Sequence, residues 1–136
     1  MTKEELRREV RARIATEVGE CDEASGAGTI FSVNCWMVNI RVATDKHREG
    51  YFFDFTPGHF HKVDFAVFAC GYPDCLYVIP VLDLWRLTAN ASLGGAKQVP
   101  NFTLFPAVNE FEPAGQAERR LSILKYFDDL EQLTLA

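Results

Sequence analysis

The sequence predicts an α/β or α+β fold: a single central mixed sheet of about five strands, with an N-terminal and a C-terminal helix packed on it. Three observations carry that expectation. Apolar residues repeat at helical spacing at the two ends of the chain. Between the ends lie short segments with strand periodicity, bounded by turn residues. One of those segments, VDFAVFAC, is apolar almost throughout, as a strand covered on both faces is.

Taken in order, Thr2-Lys3-Glu4-Glu5 is a capping box, a hydroxyl N-cap with a carboxylate three residues on. Leu6, Val10, Ile14 and Val18 behind it form one apolar stripe on a charged helix. Residues 17–28, EVGECDEASGAG, turn polar and glycine-rich and read as a loop. A strand over 29–33 leads to CWMVNIRVA, where Trp36, Val38, Ile40 and Val42 alternate with Met37, Asn39 and Arg41. After the polar turn TDKHREG comes YFFDF, a strand over 51–55 closed by Thr56-Pro57-Gly58. The run over 63–70 is then the central strand, next to the 51–55 strand or to the following one. Gly71-Tyr72-Pro73-Asp74 is a turn, and CLYVIP a further strand. Pro80 cannot continue a ladder but can begin a helix, so VLDLWRLTA reads as a short one. A loop over 91–100, a short strand over 102–105 and an irregular stretch over 106–115 follow. The chain closes with a helix over 116–133 that carries Leu121, Leu124, Phe127 and Leu130 on one face.

At 136 residues, 48% apolar and 24% charged, the chain fits one globular domain that buries its core without disulfides. No apolar run reaches the roughly 20 residues of a membrane span, and the charged start MTKEELRREV has no signal-peptide core. The expected setting is the cytoplasm, with Cys21 and Cys35 as reduced thiols and no membrane partner. A net charge of −5 counts against generic nucleic-acid binding. A local basic face remains open through Arg41, Lys46, His47, Arg48 and Lys62, which otherwise solvate a loop.

The segment from Cys35 to Leu87 resembles the second half of restriction-endonuclease-like, PD-(D/E)XK-type folds. The features that carry the resemblance are the Trp36 strand, YFFDF, and VDFAVFACGYPDCLYVIPVLDL with its proline-started helix. Such a fold implies a metal-dependent nuclease, in which an aspartate and a D/E-x-K pair hold a dication and a lysine assists the attacking water. This chain departs from the pattern. Its lysines at 3, 46, 62, 97 and 125 are preceded two positions earlier by Met1, Thr44, Phe60, Gly95 and Ile123, so no D/E-x-K exists. The nearest echo is Asn39-Ile40-Arg41. A neutral amide is a poor ligand for a hard dication, and a guanidinium cannot give up a proton near neutral pH.

Three readings follow. The first is a non-catalytic binding domain on a nuclease-like sheet, with a protein or a nucleic acid as partner and no cofactor. Arg41, Lys46, Arg48 and Lys62 would be its phosphate contacts. The aromatic run Tyr51 to Phe55 would be a protein-docking face. The second is a nuclease with a displaced site built on Asp54, Asp64 and Lys62, with Glu49 in support. Asp64 has a plainer reading, as a strand-start carboxylate bonded to neighbouring backbone or to Lys62. The third is a small zinc domain that uses His59, His61, Cys70 and Cys75. Against it, only one cysteine knuckle is present, and Cys70 ends an apolar strand where cysteine packs as a small hydrophobe. The missing D/E-x-K motif and the acidic charge favour the first reading.

Overall fold

A computed structural model describes residues 1–24, 28–89, 91–94 and 98–134. It shows an α+β architecture in three layers. The order is α1 (Lys3–Glu17), β1 (Cys21–Glu23), β2 (Ile30–Val33), β3 (Trp36–Ala43), β4 (Tyr51–Asp54), β5 (Phe65–Cys70) and β6 (Leu76–Pro80). It continues with α2 (Val81–Leu87), β7 (Leu93–Gly94), β8 (Val99–Phe105), β9 (Glu110–Pro113) and β10 (Leu121–Ser122). Short 3-10 turns cover Pro57–His61, Leu124–Tyr126 and Leu130–Leu133.

The expected single sheet is two. The first runs β1-β2-β3-β5-β6, with β3 and β5 parallel and the other neighbours antiparallel. The second runs β10-β9-β8-β4, and β7 adds to β8. The strand at 51–54 therefore does not flank β5. It leaves the first sheet and pairs with β8, with Tyr51 opposite Leu104 and Phe53 opposite Phe102. The neighbours of β5 are β3 and β6.

The alternation of β3 and β5 explains the layers. Val38, Ile40 and Val42, with Phe65, Val67 and Ala69, face α1 and meet its stripe of Leu6, Val10 and Ile14. Ala66, Phe68 and Cys70 face the other way, into a core shared with Tyr51, Phe53, Phe55, Phe102, Leu104 and Phe111 of the second sheet. Phe102 stacks on Phe111 with ring centroids 4.6 Å apart, and the Phe68 and Phe102 rings meet in a T-shaped contact. The first sheet is thus buried on both sides, which is why β5 reads as unbroken apolar sequence. The capping box forms as read, with Thr2 accepting from the Glu5 N–H at 3.1 Å.

The C-terminal helix expected over 116–133 does not form. A strand pair, two 3-10 turns and Asp128 at φ +55° take its place. The segment instead lies along the open edge of β6: the Asp128 N–H donates to the Leu76 carbonyl, Gln132 Nε2 donates to that of Val78, and Phe127 bridges to Tyr77. Those bonds satisfy β6 backbone that would otherwise be an exposed edge. Burial goes to Ile123, Tyr126, Leu130 and Leu133, while Leu121, Leu124 and Phe127 of the expected stripe are exposed. The loops expected over 17–28 and 91–100 contain β1 and β7, and part of each lies outside the described residues.

Candidate functional site

The inner face of β3 brings the nuclease echo into contact with part of the histidine pair. Asn39 Nδ2 lies 2.8 Å from His59 Nδ1; an amide N–H can only donate, so the ring nitrogen accepts. Asn39 is fully buried, and its Oδ1 has no hydrogen-bond partner among the described residues. Two positions along, Arg41 Nη2 reaches Asp54 Oδ1 at 2.5 Å. The cluster therefore holds one carboxylate, already neutralised by a guanidinium.

Asp64 is held elsewhere. Its Oδ2 accepts from the Met37 N–H at 2.8 Å, its own N–H donates to the Met37 carbonyl, and its carbonyl accepts from Val81 at the start of α2. It serves as a clamp at the start of the parallel pair. Met37 and Arg41 are four residues apart on β3, or about 13 Å of strand, so Asp54 and Asp64 do not converge on one site. Lys62 is exposed at the end of the first 3-10 turn, and Glu49 is exposed in the β3–β4 turn with φ +68°.

The zinc quartet is not assembled. His59 contacts β3 at Asn39, whose partner on β5 is Ala66, whereas Cys70 lies four residues on, at the other end of that strand. Among the described residues no three His, Cys, Asp or Glu side chains gather as a metal site would require. Thermal melts with and without a strong chelator are expected to superimpose. A marked fall in melting temperature on chelation would place a metal at the Cys70–Cys75 turn.

Both arginines of the basic face are taken up by internal pairs. Arg41 is bound to Asp54, and Arg48 Nη1 donates to Glu112 Oε2 at 2.7 Å. Arg120 Nε completes the second pairing at 3.2 Å while its guanidinium lies 4.0 Å over the Phe105 ring. Glu112 is buried, and its carboxyl is held below the usual carboxylate range, first by the Arg48 hydrogen bond. Lys46 and Lys62 remain as exposed cations without an ion pair among the described residues. The aromatic run is core: Tyr51, Phe53 and Phe55 are buried, and only Phe52 is open, at 49% exposure.

The open apolar surface lies on α2 instead. Val81 and Leu84 enter the core, and the opposite face presents Leu82 at 70% and Trp85 at 53% exposure. Trp85 meets Phe60 edge to face, with centroids 4.8 Å apart. This pair is a ridge between two shallow grooves. One, of about 280 Å³, is floored by Pro57, Thr88, Ala89, Leu93 and Pro100; the other, of about 240 Å³, by His61, Val81 and Leu82. The signal for it is in VLDLWRL, which has apolar residues at i, i+3 on two faces of one short helix. Reading that stretch only as a helix passes over the second face.

Comparison with protein-family models, with curated proteins and with solved structures gives no match. No helix among the described residues is long and apolar enough to cross a membrane.

Proposed function

We propose that the chain is a non-catalytic interaction domain that docks a protein segment across the Phe60–Trp85 ridge. The observation that carries the reading is the outward apolar face of α2, with a groove on each side of the exposed Trp85 and the half-buried Phe60 it packs on. Exposed tryptophan on a short, core-anchored helix gives large contact area at little entropic cost, as interface hot spots do. The rim indicates the partner's charge. His61 lines one groove, and the exposed Lys62 follows it directly in the chain. In a chain of net charge −5, the exposed Lys62 next to His61 fits a segment with two apolar anchors and a neighbouring carboxylate.

The engaged state of the two candidate carboxylates supports the non-catalytic half of the reading. Asp54 is neutralised by Arg41, and Asp64 is committed to backbone at the far end of β3. We place the domain in the cytoplasm on the same footing, supported by its four free cysteines.

The test is selection from a random peptide-display library, followed by affinity measurement. Selected peptides are expected to carry apolar residues flanked by Asp or Glu. Trp85→Ala is expected to weaken them by roughly 30-fold, the effect of a hot spot of about 2 kcal/mol. Its melting temperature should move little, since Trp85 is half exposed and an aromatic pair of this kind contributes about 1 kcal/mol. Binders indifferent to both Trp85→Ala and Leu82→Ser would sink the proposal. Salt-sensitive binding of single-stranded oligonucleotides, lost in Lys46→Ala or Lys62→Ala, would transfer the site to nucleic acid.

A further inference from the structure

The β5–β6 hairpin carries a feature independent of the α2 ridge. Ala69 and Leu76 are the last paired residues of the ladder, so Cys70 and Cys75 face each other as the next cross-strand pair. The Cys70 N–H donates to the Cys75 carbonyl at 3.0 Å. Both side chains pack against the same core cluster, between the two sheets, so they project to one side. Hydrogen-bonded cross-strand pairs have Cα atoms about 5.5 Å apart, within the roughly 4.4–6.8 Å that a disulfide spans. Gly71, at φ +81°, makes the turn directly after Cys70, and a Cβ there would lie 2.5 Å from the Tyr51 hydroxyl. A side chain at Gly71 would be strained by that φ and pressed against Tyr51, so glycine suits the turn that follows Cys70.

The pair is asymmetric. Cys70 is almost fully buried, and burial pushes its thiol well above the ordinary range. Cys75 is only half-buried, and a hydrogen bond from the Cys70 thiol holds it below its ordinary value. One sulfur is thus accessible as a nucleophile while the other waits behind it.

We infer that Cys70 and Cys75 form a thiol-modification site for small hydroperoxides, with Cys75 as the attacking sulfur and Cys70 as the resolving one. The Cys75 thiolate attacks a peroxide oxygen: an S–O bond forms, the O–O bond breaks, and hydroxide leaves. Sulfur is oxidised by two electrons and the peroxide is reduced. The Cys70 thiol then attacks the Cys75 sulfenic acid. An S–S bond forms, the S–O bond breaks, and water leaves with the Cys70 proton. Two thiols and one hydrogen peroxide give one disulfide and two waters.

The chain supplies its own control. Cys35 is exposed in the β2–β3 turn and has no cysteine partner, so simple accessibility would make it the first thiol oxidised. The reduced protein is treated with a few equivalents of hydrogen peroxide, alkylated after denaturation, and mapped by peptide mass spectrometry. The expected result is a Cys70–Cys75 crosslinked peptide with loss of those two thiols, while Cys35 is still alkylated. Cys70→Ala is expected to leave a Cys75 sulfenic acid that dimedone traps, and Cys75→Ser to leave Cys70 unmodified. Oxidation of Cys35 with Cys70 and Cys75 both fully alkylatable would overturn the inference. That readout is taken on the wild-type chain, so it stands even if a variant fails to fold.

Discussion

Val67→Asp is expected to abolish cooperative folding. Val67 is completely buried, pairs with Ile40 on one side and Val78 on the other, and faces the α1 stripe. A carboxylate there would be enclosed by the apolar side chains of that cluster, with Val67 itself fully buried. The loss of about 2 kcal/mol of apolar burial is the smaller part. Several more kcal/mol come from desolvating the charge, or from protonating it to avoid that cost. Together they match the lower part of the roughly 5–15 kcal/mol that holds a domain of this kind. The measurement is a circular-dichroism melt, with Val67→Ala as the graded control, expected to cost about 2 kcal/mol and to keep a sharp transition. A soluble, cooperatively melting Val67→Asp protein would mean that β5 is not enclosed by α1 and the second sheet.

Glu112→Ala is expected to lower the melting temperature by about 8 °C. The residue lies on the outer face of the second sheet, opposite Thr103 on β8, and gathers Arg48 and Arg120 onto one buried carboxylate. Hydrogen bonds to charged groups contribute about 1.5–3 kcal/mol each. Both guanidiniums are partly exposed, so the two together are discounted to about 2 kcal/mol, at roughly 4 °C per kcal/mol for a chain of this size. The pH dependence has a definite sign. The folded carboxyl titrates below its unfolded value, so its contribution is complete above the unfolded pKa of about 4.3 and is lost as pH falls through the folded one. The wild-type and Glu112→Ala curves of stability against pH should therefore be separated near neutrality and converge under acid conditions. A gap that persists unchanged into acid would assign the effect to lost packing instead of charge.

These predictions rest on features of unequal legibility. Local periodicity determined much: the capped N-terminal helix, the strands at Ile30–Val33, Trp36–Ala43, Tyr51–Asp54, Phe65–Cys70 and Leu76–Pro80, and the helix that starts after Pro80 are all in the sequence. So was the coverage of Phe65–Cys70 on both faces, because a strand buried on both sides has no polar position to show. The clamp role of Asp64 was equally readable as its plainer alternative, a strand-start carboxylate bonded to backbone.

Pairing across long separations was decided by the tertiary structure alone. Tyr51–Asp54 has the same alternation whether it adds to the first sheet or founds a second. Its partner lies about fifty residues away, and nothing local names it. The C-terminal stripe Leu121, Leu124, Phe127, Leu130 is helical by period, yet the segment is drawn out along β6, where its backbone and the Gln132 side chain satisfy an edge that a helix would leave bare. The same holds for the charges. Arg41 and Arg48 are cations in any sequence count, and only the approach of Asp54 and Glu112 turns them from a surface patch into internal pairs. Sequence period fixes which face of an element is apolar; which neighbour covers that face, or leaves Leu82 and Trp85 uncovered, depends on long-range packing that no local pattern encodes.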